Sequence, residues 1–379
     1  MTVWDELVGQ EQVVSTLQSA VSNPSSMTHA WLLTGPPGSG RSNAARAFAA
    51  ALQCEHGGCG TCDACRAVMR GTHPDVTILA TEKVTIAIDE VRGLITEASR
   101  APSSGRWRVI LIEDADRMLE RTTNVLLKAI EEPASRTVWL LCAPSPQDVM
   151  VTIRSRCRKV SLRIPPAADV AQLLVTRDGI DLHTATIAAR AAQSHIGLAR
   201  RYARDPQARE RRDAVLALAE KIRGVSDAVL SAGKLVEVAQ EEAAAASAER
   251  DAGELAALMR TLGIEPGGTV PPALRSQIKQ LEEEQKRRAT RHQRDVLDQA
   301  MLDLLSLYRD VLLTQLRAGM DLVNVEHEAF IYELARATNA VDTLGKMDAI
   351  SQARTRLAGN VAPLLTVEAM MVALRPIAH

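Results

Sequence analysis

Eight residues constrain this chain more than any others: GPPGSGRS, Gly35 to Ser42, set between the apolar run AWLLT and the helix-forming run NAARAFAAAL. A glycine-rich turn that ends an apolar strand and opens a helix exposes successive backbone N–H groups, and the helix N-terminus adds its partial positive charge. Such a turn holds phosphate, and it belongs to folds in which helices flank a parallel sheet. Gly35, Gly38 and Gly40 supply the backbone freedom, and the Ser42 hydroxyl is placed to reach Mg²⁺. The phosphate-loop pattern G-x-x-x-x-G-K-[ST] is met everywhere but at Arg41, which stands where lysine is required. Lysine puts a compact charge between the outer phosphates, whereas a guanidinium is a wide planar fork. The loop amides keep a capacity for ATP or ADP with Mg²⁺, but positioning of the γ-phosphate for attack suffers.

The second half of such a site is a strand ending in an Asp for the metal and a Glu for the attacking water. Here VILIEDAD delivers Glu113 and then Asp114, the reverse order. Further apolar runs, DVTILA and TVWLLCA, alternate with the helical patterns AIDEVRGLITEAS and TTNVLLKAIEE, as a parallel sheet covered on both faces requires. This α/β region extends over residues 1–165, and the double proline of RIPP marks its end. Residues 166–206 read as a small helical unit and 207–379 as an all-helical domain. Within the latter, charged arms over about 235–295 form a helical hairpin, broken between Gly263 and Pro272. Leu274, Ile278 and Leu281 lay a short apolar stripe on the second arm.

Cys54, Cys59, Cys62 and Cys65 form C-x₄-C-x₂-C-x₂-C, four thiolates at a spacing that suits tetrahedral zinc. An iron–sulfur cluster also uses four cysteines, but the short x₂ loops fit a structural zinc module at 54–65 better. His56 lies inside the loop as a bystander, and Cys142 falls within an apolar strand. Six cysteines so distributed are no disulfide framework. The net charge of −1 gives no global attraction to nucleic acid. Lacking an apolar run of membrane-spanning length, the chain is expected in the cytoplasm.

Taken together and in this order, LVGQEQVV, the phosphate loop, the cysteine module after its helix, HPDV, VILIEDADRM, NVLLKAIEEP and TIRSRC resemble the clamp-loader branch of the AAA+ proteins. The resemblance is dense over the N-terminal two-fifths. It implies a RecA-like AAA+ domain with a zinc knuckle, a helical lid and a C-terminal helical collar. It also implies partners: the other subunits of a five-membered ring, the sliding clamp that the ring opens, and the primed DNA on which the clamp is placed. Carried over by position, Val8, Gly9 and Gln10 lie near the adenine, and SRC makes Arg156 an arginine finger that reaches a neighbour's ATP. The lid arginine that touches phosphate in relatives falls on Arg200 or Arg201.

Active members of the branch carry a hydroxyl where this chain has Ala143 and Pro144. With Arg41 and the reversed Glu113–Asp114, this departure points to a ring member with weak or absent ATP hydrolysis of its own. Two other readings stand beside it: an active ATPase motor of the same machine, and a zinc-stabilised adaptor outside replication. Arg92, Arg100 and Arg106 read as ordinary surface charges.

Overall fold

A computed structural model describes residues 2–81, 85–262, 271, 274–359 and 361–376, which gather into two compact units, Met1–Arg204 and Asp205–His379. In the first, five strands make one parallel sheet: β1 (Ala30–Thr34), β2 (Val76–Leu79), β3 (Arg108–Ile112), β4 (Thr137–Ala143) and β5 (Arg158–Ser161). Their order is β2-β3-β4-β1-β5. Parallel pairing needs crossovers, and α2 (Arg41–Gln53), α3 (Asp63–Met69), α4 (Ile88–Ala98), α5 (Glu120–Glu131) and α6 (Val151–Arg154) lie in them, after an opening α1 (Glu11–Ser22).

The central strands are buried throughout and, apart from Thr34, Arg108 and Thr137 at their ends, apolar, because both faces are covered. Trp31, Leu33, Val109, Leu111, Val138, Leu140 and Cys142 enter a core with Ala44 and Phe48 of α2. Their alternates Leu32, Ile110, Ile112, Trp139, Leu141 and Ala143 enter a second core with Val91 and Leu94 of α4 and Leu126 and Ile130 of α5. Trp31 meets Phe48 edge to face at 5.1 Å. Strand β5 carries no periodic apolar signal: RKVS is an edge strand with Val160 as its one buried residue, and its charges face outward as edges require. Arg158 nevertheless lies over the Trp31 ring at 4.9 Å. All four tryptophans, Trp4, Trp31, Trp107 and Trp139, belong to this unit.

The HPDV stretch turns out to be a clamp. Asp75 is fully buried and accepts hydrogen bonds from Ser103 N (2.7 Å), Ser104 N (2.8 Å) and Gly105 N, besides both serine hydroxyls. Arg108 pairs with it at 3.2 Å. Burial would raise the Asp75 carboxyl, but these donors outweigh it and hold the group well below the usual carboxylate range. A Cβ on Gly105 would meet Gln53 Oε1 at 2.3 Å, so any larger residue must displace the amide that accepts from Arg106 N at 2.9 Å.

Past Pro165 and Pro166, α7 (Ala167–Asp178), α8 (Leu182–Ala191) and α9 (Ile196–Arg204) complete the first unit. The second unit is α10 (Pro206–Lys221), α11 (Val225–Thr261), α12 (Arg275–Gln315), α13 (Glu328–Ala337), α14 (Ala340–Ala358) and α15 (Pro363–Ala373). Its core joins Ala228, Ala232, Leu235 and Ala239 of α11 to Leu297, Met301, Leu304, Tyr308 and Val311 of α12. At 37 and 41 residues, these helices are about 55 and about 60 Å long. Away from the core they pair through charge: Arg288 reaches Asp251 at 2.8 Å and Glu254 at 2.5 Å, and Arg288 and Arg250 hold the Glu254 carboxyl down at about 2. Of the break expected at Gly263–Pro272, all but Pro271 lies outside the described residues. No described helix is long and apolar enough to cross a membrane.

Candidate nucleotide site and cysteine module

β1 and β4 run in register to their ends, Thr34 beside Ala143, so the loop that leaves β1 starts against the end of β4. Gly35 N donates to Pro144 O at 3.2 Å. Gly38 and Gly40 take φ of +86° and +87°, the left-handed region that a glycine loop needs to turn its amides inward. Gly40 caps α2, whose first turn holds Arg41 and Ser42.

Side chains of the chain itself occupy this loop. Arg41 Nη1 donates back to the Gly35 carbonyl. The Ser39 hydroxyl is buried and has no hydrogen-bond partner among the described residues. It also lies 2.6 Å from where a Cβ on Gly35 would stand. His195, between α8 and α9, rests on the loop from the other side: a Cβ on Gly38 would meet its Cα, Cβ and Cδ2 at 3.0 Å each. Burial of the His195 ring lowers its pKa, and the Arg41 charge adds to this. Its Nδ1 accepts from Leu198 N at 3.2 Å.

The acids at the end of β3 are likewise engaged. Glu113 Oε1 accepts from Arg46 Nε at 3.1 Å and Nη2 at 2.7 Å. Asp114 faces Arg117 at 3.5 Å. Asp116 has a buried Oδ1 without a partner among the described residues, and burial, reinforced by Asp114, raises its pKa. Burial pushes the Cys142 thiol at the end of β4 up, with the Glu113 and Asp114 charges adding to this and those of Arg41 and Arg46 opposing it.

Val8 is partly exposed, whereas Gly9 and Gln10 are buried. The Gln10 amide bridges the loop and the linker: its Nε2 donates to Arg163 O at 2.5 Å and Ser39 O at 3.4 Å. Gly9, at φ +67°, packs on Pro165 and Pro166. Arg200 pairs with the buried Asp178 at 3.1 Å, as Arg204 does at 2.8 Å.

Arg156 stands apart from the loop. Its neighbours in sequence are used structurally: Arg154 donates to Pro146 O at 3.0 Å and Arg158 to Ser26 O at 2.5 Å. Arg156 is partly exposed; its Nε donates to Glu131 Oε1 at 2.6 Å and its Nη1 to Thr152 O at 2.7 Å.

The sulfurs of Cys54, Cys59, Cys62 and Cys65 lie within 4.8 Å of one another, close enough to bind one metal ion. Cys54 is 3.7 Å from both Cys59 and Cys62, against about 3.8 Å for the edge of a ZnS₄ tetrahedron. Backbone N–H groups of His56, Cys62 and Cys65 point at sulfur, 3.3 to 3.4 Å away, an environment for thiolates. Hydrogen bonds from Thr61 and Cys62 bring Cys59 down to about 5. Positive φ at Gly57, Gly58 and Gly60 lets the loop wrap the centre. The N-terminal segment straps it down, with Val3 N bonded to Gly58 O at 3.1 Å and Trp4 Nε1 to Gly57 O at 3.0 Å.

Four residues of these sites escape motif reading. Arg46 and Arg41 are the only charged residues of α2, a signal that could have been used. Asp116 lies in the quoted acid run, and Glu131 in the EEP that ends α5. Nothing in the sequence brings His195 to Gly38.

A five-stranded parallel sheet of this order, with a glycine loop after its first strand and acids after its third, is the RecA-like arrangement expected of an AAA+ domain. Residues 9–192, just under half of the chain, match the family model described as DNA polymerase III, delta subunit. The chain is similar to DNA polymerase III subunit delta' of Pseudomonas aeruginosa, at 37% identity over 40% of this chain and 48% of the relative. It is similar also to subunit tau of Bacillus subtilis, at 32% identity over 42% of this chain and 29% of the relative. The chain thus spans about half the length of the first relative and under a third of the second. A gamma subunit-related protein of Thermotoga maritima superposes with a TM-score of 0.42 at 14% identity, covering 96% of this chain and 98% of its own.

Proposed function

We propose that this chain is the delta-prime member of a bacterial DNA polymerase III clamp loader, with little or no ATP hydrolysis of its own. In a cytoplasmic hetero-pentamer with tau/gamma and delta subunits, it donates Arg156 to a neighbour's ATP site. One observation carries the reading: the acid that should serve the metal, Glu113, is held by Arg46, while Arg156 is partly exposed beyond its own loop. A guanidinium brought to the γ-phosphate offsets the charge that builds on the transferring group, an effect on the order of 10³-fold or more in turnover. Through the ring, the chain helps open the sliding clamp and place it on primed DNA. Zn²⁺ held by Cys54, Cys59, Cys62 and Cys65 supplies rigidity, four thiolates leaving no open position for catalysis.

ATP turnover tests this. The isolated chain is expected to hydrolyse ATP at background, and a reconstituted loader carrying Arg156→Ala is expected to lose most of its activity. Robust turnover by the isolated chain would identify a motor subunit instead, the role that the similarity to tau would suggest. Full activity of the Arg156→Ala loader would remove the finger and leave an adaptor.

A further inference from the structure

Arg156 is committed within its own chain in a way that a donated arginine should not be. The guanidinium meets Glu131 through Nε, at 2.6 Å, and through Nη2. Its Nη1 is anchored on the Thr152 carbonyl at 2.7 Å. To reach a phosphate, the outer edge of the fork must leave Glu131, while the Thr152 anchor lies on its other edge. Glu131 is also badly placed for a merely structural acid. It is the last residue of α5, with Pro133 two positions on, where the helix dipole disfavours a negative charge. A carboxylate there is compensated by Arg156 and loses that compensation when the arginine departs.

We infer that Glu131 is a positioning residue for Arg156, a latch that holds the guanidinium in cis until a polyphosphate in the neighbouring site competes for it. The inference rests on the finger role proposed above and adds its regulation. A carboxylate offers the fork one negative charge in water, whereas an ATP–Mg²⁺ site offers several phosphoryl oxygens and increasing charge in the transition state. The exchange therefore favours the neighbour only when nucleotide is present, and an empty neighbour leaves the arginine parked. Because both partners are partly exposed, at 37% and 45%, the latch is weak, and its removal changes rates by a small factor.

The test is steady-state ATPase of the full reconstituted loader carrying Glu131→Gln, Arg156→Ala, both together, or Glu131→Asp. Glu131→Gln keeps the shape and removes the charge. It is expected to raise kcat/KM about two- to fivefold at low salt, with the gain shrinking as salt rises. The double variant is expected to match Arg156→Ala, because a latch has no effect without its arginine, and Glu131→Asp is expected to stay near the wild-type value. If Glu131→Gln leaves kcat/KM unchanged or lowers it while Arg156→Ala abolishes turnover, the latch is overturned and the finger stands. If Arg156→Ala itself has no effect, the finger reading has failed, a different result. A gain from Glu131→Gln that survives in the Arg156→Ala background would also overturn the latch.

Discussion

Asp75 shows how a single carboxylate can fix a loop that no secondary structure holds. It takes hydrogen bonds from three consecutive residues, Ser103 to Gly105, and an ion pair from Arg108. Asp75→Asn removes the charge and turns an acceptor into a donor against backbone N–H groups. A loss of about 2–4 kcal/mol in unfolding free energy is expected, to be read by denaturant titration. The acid side follows from the sign of the shift. A carboxyl held below its unfolded value contributes stability that is fully present above pH about 4 and drains away as pH falls through its folded value. The wild type should therefore lose stability below pH about 4, and Asp75→Asn should show a shallower loss over that range.

At the same scale, Arg41 is one altered residue among several. Arg41→Lys restores the loop pattern, but Arg46 still holds Glu113 and position 143 still lacks a hydroxyl. The variant is expected to hydrolyse ATP no faster than wild type, and a rise of tenfold or more would show that the loop alone limits the chemistry. Local patterns singled out Arg41 and Glu113 because each occupies a fixed offset, and the resemblance singled out Arg156 in the same way. They said nothing of His195 on Gly38 or Glu131 on Arg156, because those contacts join positions 157 and 25 residues apart through tertiary folding.

Among the elements, the cysteine module is the most exacting. Gly58 sits at φ +105°, and a Cβ there would lie 2.6 Å from Val3 Cγ2 and 3.0 Å from Trp4 Nε1. Gly58→Ala thus combines backbone strain with a clash against the N-terminal strap, and a cost of about 2–4 kcal/mol is expected in thermal or denaturant unfolding. Cys62→Ser is expected to lower both bound zinc and the yield of folded protein; unchanged zinc stoichiometry, measured by elemental analysis, would contradict the proposed ligand set. Strands β1, β3 and β4 were readable as continuous apolar runs because they are buried on both faces. Strand β5 was not, since an edge strand of four residues with Arg158 and Lys159 has too little buried surface to leave a period. The long helices of the second unit show the opposite: their composition made them plain, but which arm residues pair across the hairpin, Arg288 with Asp251 and Glu254, depends on a register that charge interleaving leaves open.

For the whole molecule, cores of two kinds follow from one chain: one on each face of the sheet before Asp205, and one among helices after it. The four cysteines proposed as metal ligands all lie in the first unit, with Cys54 and Cys65 inside one of its cores. Metal removal should therefore weaken one unit more than the other. Distribution of the aromatic residues makes that measurable. Every indole is in the unit with the cysteines, while the second unit has Tyr308 and Tyr332. Selective excitation of tryptophan is thus a private optical channel for the sheet unit, whereas ellipticity draws on both units, with the larger share of helical residues in the second. Treated with a chelator, the protein is expected to show an early emission change with most ellipticity retained. Superimposable traces would mean that the two units melt as one.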